Sequence, residues 1–196
     1  MSLRSSARLL PDGLRDALIA EQEIRRQLDN YCRAVDRFDL ELLKSIWHSD
    51  GTLEYEDGEL CGKAVELADR LIQDLREYAS HSHQITNVLI TVTGDQAVSE
   101  TYEMAMLRSH PEVDGHYLDT HRRGRFLDRW AKREGRWAIE HRQAVSTVGW
   151  KHVVADGRLA AGSRRDREDP VYELWAYVGE PSTWLPPDLP KEANRV

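Results

Sequence analysis

The chain is predicted to fold as one α+β domain, and three observations carry that expectation. Apolar residues keep a helical period through the first third of the chain, and from Ser82 onward the period changes to two. Between the resulting strands sit pairs such as Gly94-Asp95 and Glu134-Gly135, which suit tight hairpins. Helices first and long strands afterwards describe helices packed on one face of a curved, mostly antiparallel sheet. A chain of 196 residues, 40% hydrophobic, has material for one core of ordinary size.

The first helix runs from Leu14, with Ile24, Leu28, Tyr31, Cys32 and Val35 in one arc of the wheel. The segment Asp36-Arg37-Phe38-Asp39 ends it, because Asp39 before Leu40, Glu41 and Leu42 reads as an N-cap with an acidic first turn. A short second helix follows to about Trp47. Ser49-Asp50-Gly51 is predicted as a turn, Thr52 to Tyr55 as a short strand, and Glu56-Asp57-Gly58 as another turn. Gly62 to Tyr78 returns to helical spacing through Val65, Leu67, Leu71, Ile72 and Leu75. Four strands then cover Ser82 to Thr93, Ala97 to Leu107, Tyr117 to Lys132 and Arg136 to Val148, with a loop around His110 to Gly115.

After Trp150 the pattern loosens. Asp156-Gly157, Gly162-Ser163 and the prolines at 181, 186, 187 and 190 mark a tail with one helical turn near Val171 to Tyr177. Trp175 and Trp184 are expected to dock it, since an exposed indole leaves a large apolar area in water. The expected organisation is a disordered leader over 1–12, the domain over 13–150 and a docking extension over 151–196. The leader's Arg4, Ser5, Ser6 and Arg8 hint at a transit peptide, but so short a stretch is commonplace at a disordered terminus.

Composition narrows the function. Acidic residues outnumber basic ones by 34 to 27, a net charge of −7, which opposes nucleic acid and anionic membrane as partners. The basic runs around Arg122-Arg123 and Arg164-Arg165 are short and broken by Asp128, Asp166 and Glu168. Two cysteines, Cys32 and Cys61, outside any C-x-x-C pair, fit a cytoplasmic protein better than a disulfide-stapled one. No apolar run has the length of a membrane span.

Asp36 lies at the margin of the first helix's apolar arc, where a carboxylate needs a partner. His83 shares a strand face with Ile85, Asn87, Leu89 and Thr91, a mixture of polar and apolar groups that suits a pocket lining. Tyr31, inside the helical arc, and Tyr55, at the end of the short strand, carry hydroxyls that require partners. Arg142 shares parity with Ala138 and Glu140, while Trp137, Ile139 and His141 take the other face, and parity alone does not say which face is inward. His81-x-His83 has no further ligand at a recognisable spacing, and His116 and His121 have opposite parity, so no metal or other cofactor is expected.

Three stretches carry a resemblance: Ile24-x6-Tyr31-x4-Asp36-x2-Asp39 with Leu43 to Trp47; His83-Gln84-Ile85-Thr86-Asn87-Val88-Leu89-Ile90; and Gly124-Arg125-Phe126-Leu127-Asp128-Arg129-Trp130 running into Gly135-Arg136-Trp137-Ala138-Ile139-Glu140-His141-Arg142. Together they resemble the SnoaL-like family of the nuclear-transport-factor-2-like superfamily, within it hexachlorocyclohexane dehydrochlorinase, bile acid 7α-dehydratase and scytalone dehydratase. Asp169-Pro170-Val171-Tyr172 is similar to a tail motif of many relatives. The resemblance implies a cone-shaped α+β barrel around a pocket. It also implies His83 as base with Asp36 as its orienting carboxylate, Tyr31 and Arg142 as further catalytic groups, and Tyr55 and Asn87 as substrate-binding groups. The implied reaction is a cofactor-independent elimination of water or halide from a small hydrophobic cyclic molecule. Isomerisation on the same pocket, or an accessory role like that of a ring-hydroxylating dioxygenase β-subunit, is the alternative. An exposed outer sheet face would make the protein a homodimer or homotrimer.

Overall fold

Helix α1 (Asp12–Arg37) presents Ile24, Leu28, Tyr31, Ala34 and Val35 as one buried stripe. Burying each large aliphatic side chain is worth about 1.5–3 kcal/mol, so this stripe anchors the helix to the sheet. The computed structural model describes residues 11–55, 58, 60–155, 157–159, 164–166 and 168–177. The proposed leader, apart from 11 and 12, and Trp184 lie outside them.

The helix stops at Phe38, whose left-handed backbone (φ 55°, ψ 34°) sends its N–H back to the Ala34 carbonyl. A non-glycine residue there costs about 1–2 kcal/mol. Packing offsets the cost, because the Phe38 ring lies under the guanidinium groups of Arg76 and Arg165, at 4.5 and 4.9 Å, and beside His81. Asp39 then caps α2 (Leu40–Ser45) as its residue type predicts, accepting from the Leu42 N–H at 3.1 Å.

Strands β1 (Trp47–Tyr55) and β2 (Leu60–Lys63) come next, then α3 (Ala64–Arg76). Four long strands follow: β3 (Ser80–Thr93), β4 (Gln96–Arg108), β5 (Tyr117–Arg133) and β6 (Arg136–Val154). Helix α4 (Pro170–Tyr177) ends the described chain. The six-stranded sheet has the order β2-β1-β6-β5-β4-β3, with β1 parallel to β6 and the other pairs antiparallel. Helix α1 packs chiefly across β3, and α3 against β1 and β2. This is the α+β architecture that the order of periodicities predicts.

Three boundaries differ from expectation. Ser49-Asp50-Gly51 belongs to β1 and is no turn. Gly51 permits a close approach to β6, since a Cβ there would stand 2.7 Å from the Ile139 carbonyl oxygen. Residues 60–63 pair with β1 and do not open the third helix, because their hydrogen bonds go to Thr52–Tyr55. Strand β6 continues to Val154, held by pairing with the start of β5.

β-Bulges change which side chains face inward. In β3, Thr86 and Asn87 together oppose the single residue Tyr102, so His81, His83 and Ile85 share the inner face with Val88, Ile90 and Val92. In β6, Glu140 is the extra residue between the Ile139–Trp130 and His141–Arg129 pairs. That bulge puts Arg142 on the same side as Trp137 and Ile139, against the parity count.

Candidate active site

Asp36 and His83 meet where the last turn of α1 crosses the start of β3. The Asp36 Oδ1 lies 2.7 Å from the His83 ring Nδ1, and Oδ2 accepts the His83 backbone N–H at 3.0 Å. Both side chains are mostly buried, at 15% and 13% exposure. One carboxylate therefore fixes both the backbone and the ring of the same histidine. A proton on Nδ1 shared with a carboxylate leaves Nε2 as the free lone pair, the tautomer that a base requires.

His81, two residues earlier on the same face, is held differently. Its Nε2 lies 3.1 Å from the Val35 carbonyl oxygen, and its Nδ1 lies 3.3 Å from the Arg165 guanidinium. Only the neutral ring with hydrogen on Nε2 satisfies both contacts. Burial pushes the His81 pKa down. Donor atoms of Asp36, His81 and His83 come within 4.8 Å of one another, a spacing that could admit a metal ion. His81, however, has no nitrogen to offer, since Nε2 donates to Val35 and Nδ1 accepts from Arg165, so the trio fits a proton-handling site better.

Asp169, in the tail motif, accepts from the backbone N–H groups of Arg164 and Val171 and pairs with Arg37 at 3.4 Å. Arg165 donates to the Tyr78 carbonyl, and Arg33 lies over the rings of Tyr172 and Trp175. The described part of the extension thus packs beside the dyad. A cavity of about 380 Å³ between α1 and Trp175 is bordered by Asp29, Cys32, Arg33, Asp36 and Arg37. Most of the residues that border it are of charged type.

The tyrosines and the arginine form a second cluster. Tyr55 donates to the Tyr31 hydroxyl at 3.1 Å, and the Arg142 guanidinium lies 4.6 Å from the Tyr31 ring centre and 4.0 Å from that of Phe126. Arg142 is fully buried and makes two hydrogen bonds to Asp128, at 2.7 and 2.8 Å. Burial alone would depress its pKa, but Asp128 outweighs that and the net shift is upward. Burial also raises both phenols, which stay protonated. One Arg142 nitrogen, Nη1, has no hydrogen-bond partner among the described residues. His141 points away, its Nδ1 2.8 Å from the Thr52 hydroxyl.

Asn87 does not join either group. The bulge leaves it exposed, whereas unbroken alternation would have put it beside His83. Glu103 takes a place that sequence reasoning missed. It stands across from Ile85 on β3 and Gly124 on β5, on the face shared by buried Ser99, Thr101 and Ala105. Burial raises its pKa, against the lowering influence of His83, Arg122 and Arg142. The period-two run Ala97, Ser99, Thr101, Glu103, Ala105 was the available signal. Gly124 makes the room, since a Cβ there would stand 3.1 Å from Glu103 Oε1 and 2.7 Å from the Val145 carbonyl oxygen.

A family model described as a SnoaL-like domain matches residues 16–143. No curated protein matches the chain significantly. Among solved structures, the Kfla4162 protein of Kribbella flavida superposes with a TM-score of 0.61 at 15% identity, over 68% of this chain and 94% of that one. A type 2 hexachlorocyclohexane dehydrochlorinase gives 0.61 at 19% identity, over 73% and 94%. A protein assigned as a scytalone dehydratase from Novosphingobium aromaticivorans gives 0.60 at 19%, over 73% and 97%. At these identities the likeness is one of fold, a cone-shaped sheet with helices packed on one side.

Proposed function

Since this chain belongs to the SnoaL-like domain family, we propose that it is a cofactor-independent lyase that eliminates water or halide from a small cyclic substrate. The observation that carries this reading is the double attachment of His83 to Asp36 through ring and backbone. His83 Nε2 takes a proton from carbon, and Asp36 stabilises the imidazolium that forms. The electrons of the broken C–H bond form the new double bond as the leaving group departs from the adjacent carbon.

Glu103 adds a general acid. Burial keeps its carboxyl protonated to higher pH than an exposed glutamate, so it can give a proton to a departing hydroxyl. A departing halide needs no such proton. Tyr31 accepts from Tyr55 and keeps its own neutral hydroxyl proton to donate, while Arg142, held by Asp128, acts through the pair as a positioning residue. The same proton abstraction would begin an isomerisation.

The test is a panel of cyclic compounds carrying hydroxyl or halide beta to an acidic C–H, assayed for alkene formation. With the active compound, His83→Ala and Asp36→Asn should each lower kcat by about 10²–10⁴-fold, the usual contribution of a positioned base. Full activity in both variants would refute the dyad. No turnover from any panel member, with tight binding of one, would favour a ligand-binding or accessory role.

A further inference from the structure

The continuation of β6 to Val154 brings together three side chains on the sheet face opposite Glu103, Phe126 and Asp128. His152 stands directly across from Asp119, and Trp150 across from His121. Asp119 and His121 are two residues apart on β5 and so share that outer face. One donor atom from each of Asp119, His121 and His152 falls within 4.8 Å of the others, with His152 Nε2 already 3.9 Å from Asp119 Oδ2.

We infer that Asp119, His121 and His152 form a binding site for a divalent transition-metal ion. Two imidazoles and one carboxylate are a ligand set that zinc, nickel and copper accept, with remaining coordination positions left to water. Two neighbours on one strand and a third directly across a hairpin converge without any loop having to be ordered.

Two of the three side chains, His121 and Asp119, are held in place by their neighbours. The His121 ring stacks flat on Trp150, with centroids 4.8 Å apart and planes at 3°, and lies 5.2 Å from the His152 ring at 16°. Arg123 covers Trp150 at 5.4 Å. Arg108 holds the Asp119 carboxylate by two bonds of 2.7 Å and, as the largest influence, lowers its pKa. That pairing leaves room for a metal. A carboxylate has about four lone-pair positions and Arg108 takes two, in the way that outer hydrogen bonds orient a ligating carboxylate. A tetrahedral zinc ion with bonds of about 2.0–2.2 Å needs donors roughly 3.4 Å apart. His152, whose side chain is 49% accessible, is the ligand free to turn out of its stack on His121 toward the shared point.

This inference is independent of the elimination reaction, because it needs no substrate. Chelator-treated protein titrated with zinc chloride in a calorimeter should bind one equivalent at this site. His121→Ala and His152→Gln should each weaken it at least tenfold, while the separate variant His83→Ala leaves it unchanged. Saturating zinc should raise the melting temperature of the natural protein and not that of the double variant H121A/H152Q. Magnesium, which prefers oxygen ligands, should give neither effect. Zinc binding no tighter in the natural protein than in the double variant would overturn the inference. Binding lost in His83→Ala but kept in the double variant would also overturn it, by assigning the metal to Asp36, His81 and His83.

Discussion

Replacing Arg142 with methionine tests whether the centre of the cone is held by a buried ion pair. Arg142 and Asp128 both have side chains at 0% exposure, joined by two short hydrogen bonds. Methionine keeps most of the stem volume but leaves Asp128 as a buried charge, its remaining support being the Ser99 hydroxyl at 3.5 Å. Removing one partner of such a pair costs about 3–5 kcal/mol. The guanidinium also covers the rings of Tyr31, Trp47 and Phe126, at 4.6, 5.5 and 4.0 Å, which supports the upper half of that range. For a chain of this size each kcal/mol moves the melting temperature by about 2–4 °C, so a fall of roughly 8–20 °C is expected. Guanidinium unfolding followed by fluorescence of buried Trp47 and Trp130 measures the loss directly. The double variant D128L/R142M should recover most of it, because two apolar groups of similar volume leave no buried charge. A loss below about 1 kcal/mol in R142M, or a double variant as unstable as the sum of the singles, would refute this account.

Glu103→Gln should slow elimination of water much more than elimination of halide; equal slowing of both would remove Glu103 as the acid. Gly124→Ala should destabilise by about 1–3 kcal/mol, because the new methyl meets the Val145 carbonyl oxygen at 2.7 Å and crowds Glu103. An unchanged unfolding midpoint would contradict that contact. The folded His81 pKa lies below its ordinary value of 6.5, so the unfolded chain binds a proton first and stability falls as pH drops through about 6.5 towards the folded value. His81→Gln should flatten that part of a stability–pH profile; an unaltered slope would assign it to other groups.

The helices and the long strands were legible because their signals are local. The apolar arc of α1, the Asp39 cap and the alternation of β4 depend on neighbours within a few residues. The proximity of Asp36 and His83 entered through likeness to a family, and the structure joins them by two hydrogen bonds. Parity failed at Asn87 and at Arg142 for one reason: an added residue in a strand reverses every later side chain, and nothing in Thr86-Asn87 or Glu140 marks it. β2 was hidden by its shortness and by Gly62, and Glu103 by its ordinary acidic surroundings.

By itself the sequence determined the class of fold, the order of most elements and the apolar faces of the helices. Those follow from composition and from periods of 3.6 and 2, which each segment carries alone. Only the tertiary structure decided which strand faces line the cone, that Arg142 is turned inward to Asp128 and His141 outward to Thr52, and that Asp119, His121 and His152 converge on the far side. Those outcomes depend on register between strands, and register is a property of the pair and of its bulges, carried by neither strand alone.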